Sequence, residues 1–240
     1  MRIPRLRNSV LFSALLLCLG WVTAASGASV LVTSSGDAHL DAITVATLAS
    51  FGHDVQLGPA YSVFDDTIDL SAFNAVLLLA NNNWGAGDMP ITGQENLLNF
   101  VASGGGLVTS EWTLWKHATL GQFAELYDAF PVVGNSNYNA GSPITYTVVT
   151  ADPILDDGVD TSFTFQADSI GGTESDFAPK DGATVYFQSA GAENGAGVIG
   201  WGYGSGLVIS LSTLIGPNEL ADVNYSQLLS NALTWASTPQ

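Results

Sequence analysis

Gly104-Gly105-Gly106-Leu107-Val108-Thr109-Ser110-Glu111-Trp112 decides how this chain is read. A helical apolar pattern over residues 94–102 runs into it. The glycines let the chain leave that helix, because glycine takes positive φ without a Cβ clash. Leu107-Val108 opens a short buried strand, and the sequence then turns polar at once with Thr109, Ser110 and Glu111. In an open α/β sheet, ligands bind beyond the carboxyl ends of the strands. This strand end is therefore the first place to expect a site.

Upstream, residues 29–33 (SVLVT) read as a first strand. Leu40, Ile43, Ala46, Thr47 and Leu48 recur at helical spacing, Gly52 stops that helix, and residues 53–57 read as a second strand. Strand, helix and strand so close together predict a parallel βαβ unit. Residues 75–80 (AVLLLA) are apolar without alternation, as in a strand buried on both faces, and end in Asn81-Asn82-Asn83-Trp84-Gly85. A helix over 92–102 with Leu97, Leu98 and Val101 inward leads into the glycine step. A further helix is expected over 114–130, with Leu120, Phe123, Leu126 and Tyr127 on one side. Beyond Pro131 the texture becomes β-rich. Residues 135–142 read as a turn-rich loop. Residues 144–149, 162–165 and 183–187 read as strands, and 197–201 with 206–211 as a hairpin or neighbouring pair. The last helix spans 220–235, with Tyr225, Leu228, Leu229, Ala232 and Leu233 on one face.

The N-terminus has the layout of an export signal. Arg2, Arg5 and Arg7 precede an apolar run over 11–22, too short for a membrane span, and Ser26-Gly27-Ala28 offers a cleavage site. Residues 1–28 are thus expected to be a signal peptide, and 29–240 a single domain that is secreted or periplasmic, with no membrane span. Cleavage leaves 240 − 28 = 212 residues, enough for one sizeable core. The only cysteine, Cys18, lies in the signal, so the exported chain has no disulfide, no thiolate metal ligand and no cysteine nucleophile. Beyond the signal only Lys116 and Lys180 face 22 acidic residues, a formal charge of 2 − 22 = −20. Nucleic acids and anionic membranes need neutralising Lys and Arg, so both are excluded as partners.

Several segments, taken in order, resemble the class I glutamine amidotransferase-like superfamily, and within it the trehalose-utilisation (ThuA-like) group. They are the VLVTSSG opening, AVLLLA, the helix ending in GGGLV, Asp152-Pro153-Ile154 followed by Phe163-Thr164-Phe165, and the aromatic–glycine step over 198–210. The terminal helix closes in Leu233-Thr234-Trp235-Ala236. The resemblance implies a flavodoxin-like, three-layer α/β sandwich with a mostly parallel sheet, joined here to a β-rich C-terminal part. It does not carry the amidotransferase chemistry. Those enzymes use a Cys at a strand-to-helix turn with a later His and Glu, whereas residues 212–219 after the apolar strand contain no His. All three histidines, His39, His53 and His117, lie earlier. Without a thiolate that mechanism is lost. ThuA-like proteins often place a His after the GGG-strand, and Glu111 stands there in this chain.

If the strands are parallel, four turns should converge: 36–39, 81–84, 109–115 and 212–218. They supply the candidate ligand-binding residues Asp37, His39, Asn81, Asn82, Asn83, Trp84, Ser110, Glu111, Trp112 and Thr213. Indole faces beside amides and carboxylates suit a neutral sugar, with C–H faces to stack and hydroxyls to bond. The catalytic candidates are Asp37, Glu111 and Ser110. Asp37 with Glu111 would serve glycoside hydrolysis at a separation of roughly 5–9.5 Å. Ser110 lacks the G-x-S-x-G surround of a hydrolase elbow. Asp152, Asp156, Asp157 and Asp160 make an acidic loop without EF-hand spacing, so no metal site is assigned, and no cofactor is expected. The reading favours a secreted, non-catalytic binding or interaction module whose partner is a neutral carbohydrate or another extracellular protein. A carbohydrate-active hydrolase using Asp37 and Glu111, and a structural surface protein, are the alternatives.

Overall fold

A computed structural model describes residues 27–139, 141–168, 174–190 and 195–240. The expected signal lies outside these apart from its last two residues. The chain runs β1 (Ser29–Ser34), α1 (Ala38–Ser50), β2 (Asp54–Ala60), β3 (Ala75–Leu78), α2 (Ile91–Ala102), β4 (Gly106–Thr109), α3 (Glu111–Leu120) and β5 (Val132–Asn139). It continues through β6 (Ile144–Val148), β7 (Ser162–Phe165), β8 (Glu174–Pro179), β9 (Thr184–Ser189), β10 (Ala196–Tyr203) and β11 (Gly206–Leu211). A short α4 (Pro217–Ala221) and α5 (Val223–Ala236) close it.

Successive strand residues point to opposite faces, and the core divides accordingly. Val30, Val32, Ala75, Leu77, Val108 and Ile209 face a layer containing Leu40 and Leu48 of α1 and Leu228, Leu229 and Leu233 of α5. Leu31, Val76, Leu78, Leu107 and Val208 face the opposite layer, with Leu97 and Val101 of α2 and Leu114 of α3. Each such side chain contributes roughly 1.5–3 kcal/mol by leaving water. Strands buried on both sides cannot alternate polar with apolar, and AVLLLA does not.

The sheet order is β2-β1-β3-β4-β11-β10-β9-β6-β7. The pairs β2–β1, β1–β3, β3–β4 and β4–β11 are parallel. From β10 onward the pairing is antiparallel, and β8 bridges β10 to β5 outside this path. The molecule is thus a flavodoxin-like three-layer sandwich with an antiparallel C-terminal extension. The glycine step has two physical reasons. Gly104 sits at φ 115, and a Cβ on Gly106 would meet the Ala236 carbonyl of α5 at 2.4 Å.

Two expectations are corrected. The helix expected over 114–130 instead spans Glu111–Leu120 and stops at Gly121, whose left-handed φ of 67 lets its N–H return to the His117 carbonyl. Phe123 follows at φ 55, its N–H held by Asp88 Oδ1 at 2.9 Å. Leu126 to Ala129 form a 3-10 turn, and Leu120, expected inward, is 50% exposed. The apolar spacing that suggested one long helix is used by a turn that buries Phe123, Leu126 and Phe130 one by one. The loop expected over 135–142 is largely β5, which pairs antiparallel with β8. Strand β8 itself, ESDFAP, carries no apolar alternation to betray it. Among the described residues, no helix is long and apolar enough to cross a membrane.

Candidate functional site

The four turns beyond the strand ends do meet, and side chains hold them together. After β1, Asp37 caps α1, its Oδ1 accepting from the N–H groups of His39 at 2.8 Å and Leu40 at 3.2 Å. Asp41, buried one turn on, accepts from Ser34 Oγ and the Ser35 N–H. The Asn81–Trp84 turn reaches both neighbours. Asn82 Nδ2 donates to Asp37 Oδ2 at 3.0 Å, Asn83 Nδ2 to the Ser34 carbonyl at 2.8 Å, and Asn81 Nδ2 to the Ile215 carbonyl at 2.8 Å. At the start of α3, the Glu111 N–H donates to the Thr213 carbonyl at 3.1 Å. Lys116 Nζ donates to the Trp84 carbonyl and lies 5.1 Å from the Tyr61 ring centre, while Tyr61 OH donates to the Asn83 carbonyl.

What converges in the chain does not all converge on one open space. A crevice of about 130 Å³ is lined by Asp37, His39, Asn81, Asn82, Asp168 and Gly216. Ser110, Glu111, Trp112 and Thr213 are buried instead. Trp84 is 42% exposed and stacks toward Trp112 at 5.5 Å, and Trp112 packs edge-on against Trp115 at 5.0 Å. The indoles form a wall of which only Trp84 reaches solvent to a large extent. Asn83 is half-buried, its amide spent on Ser34.

Ser110 occupies the strand-to-helix turn after β4. Its backbone is ordinary extended chain at φ −123, not a strained elbow. Its Oγ has no hydrogen-bond partner among the described residues. The histidines are committed elsewhere. His53 bridges the Ala28 N–H and Ser230 Oγ, and His117 bonds the Gln122 carbonyl and stacks on Tyr127. His39 remains at the crevice.

The two carboxylates differ in environment. Asp37 is held below the usual carboxylate range, first by the His39 N–H and then by that of Leu40. It stays ionised on the rim. Glu111 is 2% exposed, and burial pushes its pKa up to about 8, with the nearby Glu174 carboxyl adding to the rise. It is therefore largely protonated at neutral pH. Beneath it lies a polar cluster that joins Thr213 to residues not among the sequence candidates. Ser175 Oγ donates to Glu111 Oε1 at 3.4 Å, and Ser212 Oγ donates to Glu174 Oε1 at 2.6 Å. Tyr146 OH bonds Ser212 Oγ at 2.9 Å, and Thr213 Oγ1 bonds Tyr225 OH at 2.9 Å. Glu219 of α4 accepts from the Asp168 and Gly216 N–H groups, and burial raises its pKa to about 8. Asp168, at the crevice, accepts from the Asn218 N–H and side-chain amide. Of its members, Glu111 and Thr213 had a sequence signal as strand-end polar residues, and Tyr225 as part of a helical apolar face. Nothing local marks Glu174 or Asp168, because their roles depend on strand pairing far along the chain. In the acidic loop, Asp152 caps Ile154 and Leu155, and Asp156 accepts from the Asp152 N–H. No metal-holding group of three acidic, His or Cys side chains occurs among the described residues.

The architecture around this rim is that of the class I glutamine amidotransferase-like fold. A protein of Salmonella typhimurium described as cytoplasmic is similar in structure, with a TM-score of 0.64 and 16% identity over 87% of this chain and 98% of that one. PurLQS from Thermotoga maritima matches with a TM-score of 0.60 and 11% identity, covering 87% and 99%. ThuA-like proteins share this fold. A ThuA-like protein from Parabacteroides merdae superposes with a TM-score of 0.61 and 13% identity, covering 88% of this chain and 89% of that one. No protein-family model matches the chain, and no curated protein is similar to it in sequence.

Proposed function

We propose that the protein is an exported, non-catalytic module of the amidotransferase-like fold that binds a neutral, hydroxyl-rich ligand at the rim. One observation carries this reading: Ser110, at the strand-to-helix turn after β4, is buried with no partner for its hydroxyl among the described residues, while the open crevice is lined by other turns, with amides and an ionised Asp37. The amides and carboxylates of the crevice suit the hydroxyls of a single sugar unit, and Trp84, exposed two residues beyond Asn82, offers a face for its C–H side. Export rests on the N-terminal arrangement of Arg2, Arg5 and Arg7 before an apolar run. The paired-carboxylate hydrolase reading has less support, because Glu111 is walled off from the crevice that Asp37 lines.

Calorimetric titration with neutral mono- and disaccharides is the test. Binding should weaken by roughly tenfold in Trp84→Ala and in Asn82→Ala, as expected when a stacking face or a charge-orienting amide is removed. An ester- or glycoside-cleaving activity that disappears in Ser110→Ala or Glu111→Gln would replace this reading with an enzymatic one.

A further inference from the structure

Three further depressions, each larger than the rim crevice, lie toward the other end of the sheet. The parallel strands β3, β4 and β11 start at Ala75, Gly106 and Gly206, and just before those starts Asn74, Gly105 and Ser205 line a cavity of about 480 Å³. A second, of about 490 Å³, shares Phe100 and Ser103 with the first and extends past Asp66 and Asp69. A third, of about 430 Å³, shares Gln240 with the first and runs beside Tyr186 and Trp235. Leu70, Ser71, Phe100 and Ser103 line both of the first two, which adjoin as one groove at the amino-terminal edge of the sheet, and the third abuts it at Gln240. Each segment is several times the volume of the rim crevice and lies in the ~300–1,000 Å³ range of small-ligand sites.

The groove's chemistry is selective. Its middle segment contains no charged side chain, only hydroxyls, amides, backbone and the apolar Leu70, Phe73, Phe100 and Pro239. The Phe100 ring is seated on Gly105, where any Cβ would stand 2.3 Å from a ring atom, so its position is fixed by backbone rather than by a mobile neighbour. No lysine or arginine lines any of the three segments. The chain beyond residue 28 has only Lys116 and Lys180, and both are spent on carbonyls and aromatic rings. An anionic ligand would meet Asp66, Asp69 and Asp152 at the two ends with nothing to neutralise it.

We propose that this groove is a second binding site, distinct from the rim, that takes an extended neutral glycan chain. Phe100 would stack a ring at the junction of the first two segments, and Ser103, Ser205 and Gln240 would bond the flanking hydroxyls.

The experiment is calorimetry on the full exported chain with neutral gluco-oligosaccharides from monosaccharide to hexasaccharide, with an anionic uronic-acid oligosaccharide as comparator. Affinity should climb with chain length by roughly tenfold or more from mono- to tetrasaccharide, as successive stacking contacts engage. Ser103→Trp, at an exposed position that fills the groove, should remove most of that gain with an unchanged melting temperature. Phe100→Ala should lose the same gain, at a lower melting temperature because the ring also packs on the core, and Trp84→Ala should leave the long-chain affinity intact. The groove assignment is overturned by length-independent affinity, by preference for the anionic chain, by insensitivity to Ser103→Trp, or by no binding of any chain. Sensitivity to Trp84→Ala alone would retain the rim site and reject the groove.

Discussion

Glu111 and Glu219 are held in the form that is rare for carboxyls in water. Both have folded-state pKa values of about 8 because burial penalises the charge, against 4.5 when unfolded. A raised pKa means that the folded state binds the extra proton. The stability contribution is therefore fully present below about 4.5 and is lost as pH rises through about 8. At about 1.4 kcal/mol per unit, the loss from one group is on the order of several kcal/mol. His53 acts at the other end. Desolvation lowers its pKa below 6.5, so protonation works against the fold as pH falls below that value. Calorimetric scans should therefore show a stability maximum on the acidic side of neutrality and a fall in melting temperature that runs up to about pH 8 and levels off above it. Glu111→Gln keeps the shape without the proton and should flatten the alkaline fall. An unchanged pH profile in that variant would mean that Glu111 is solvated and ionised in the folded protein.

At the scale of elements, caps and stops decide more than apolar spacing does. Asp222 caps α5 by accepting from the Asn224 and Tyr225 N–H groups, so Asp222→Ala should cost about 1 kcal/mol in chemical denaturation. Gly121→Ala places a Cβ on a residue at φ 67 and should cost roughly 1–2 kcal/mol, with α3 otherwise unchanged by circular dichroism. The strands β1, β3, β4 and β11 and the helices α1, α2 and α5 were legible because burial on two faces or one leaves a period in the residues. The helix end at Gly121 was misread because Phe123, Leu126 and Phe130 keep a helical rhythm while filling a turn. β8 was illegible because Glu174, Ser175 and Asp176 are buried by polar pairing, a property set by partners such as Ser212 and not by their own character. The candidate site was half legible for the same reason. Parallel strands guaranteed that the four turns would meet, but which side chains face the crevice depends on packing that no local pattern records.

The whole molecule carries its charge unevenly in kind. Among the described residues, the two lysines are drawn into aromatic and carbonyl contacts, and the carboxylates are left to dominate the surface. Self-repulsion at a formal charge of −17 should make the protein salt-stabilised. Raising sodium chloride from about 10 mM to 500 mM shortens the screening length severalfold and should raise the melting temperature by several degrees. A flat response would mean that the acidic side chains are spread too widely to interact. The withdrawal of both amines also bears on how the protein meets proteases. Proteases that cut after lysine or arginine find only the bonds following Lys116 and Lys180 beyond residue 28, and each is guarded by a side chain tied into the fold. Digestion by trypsin should leave the folded chain whole where a protease of broader taste trims its loops.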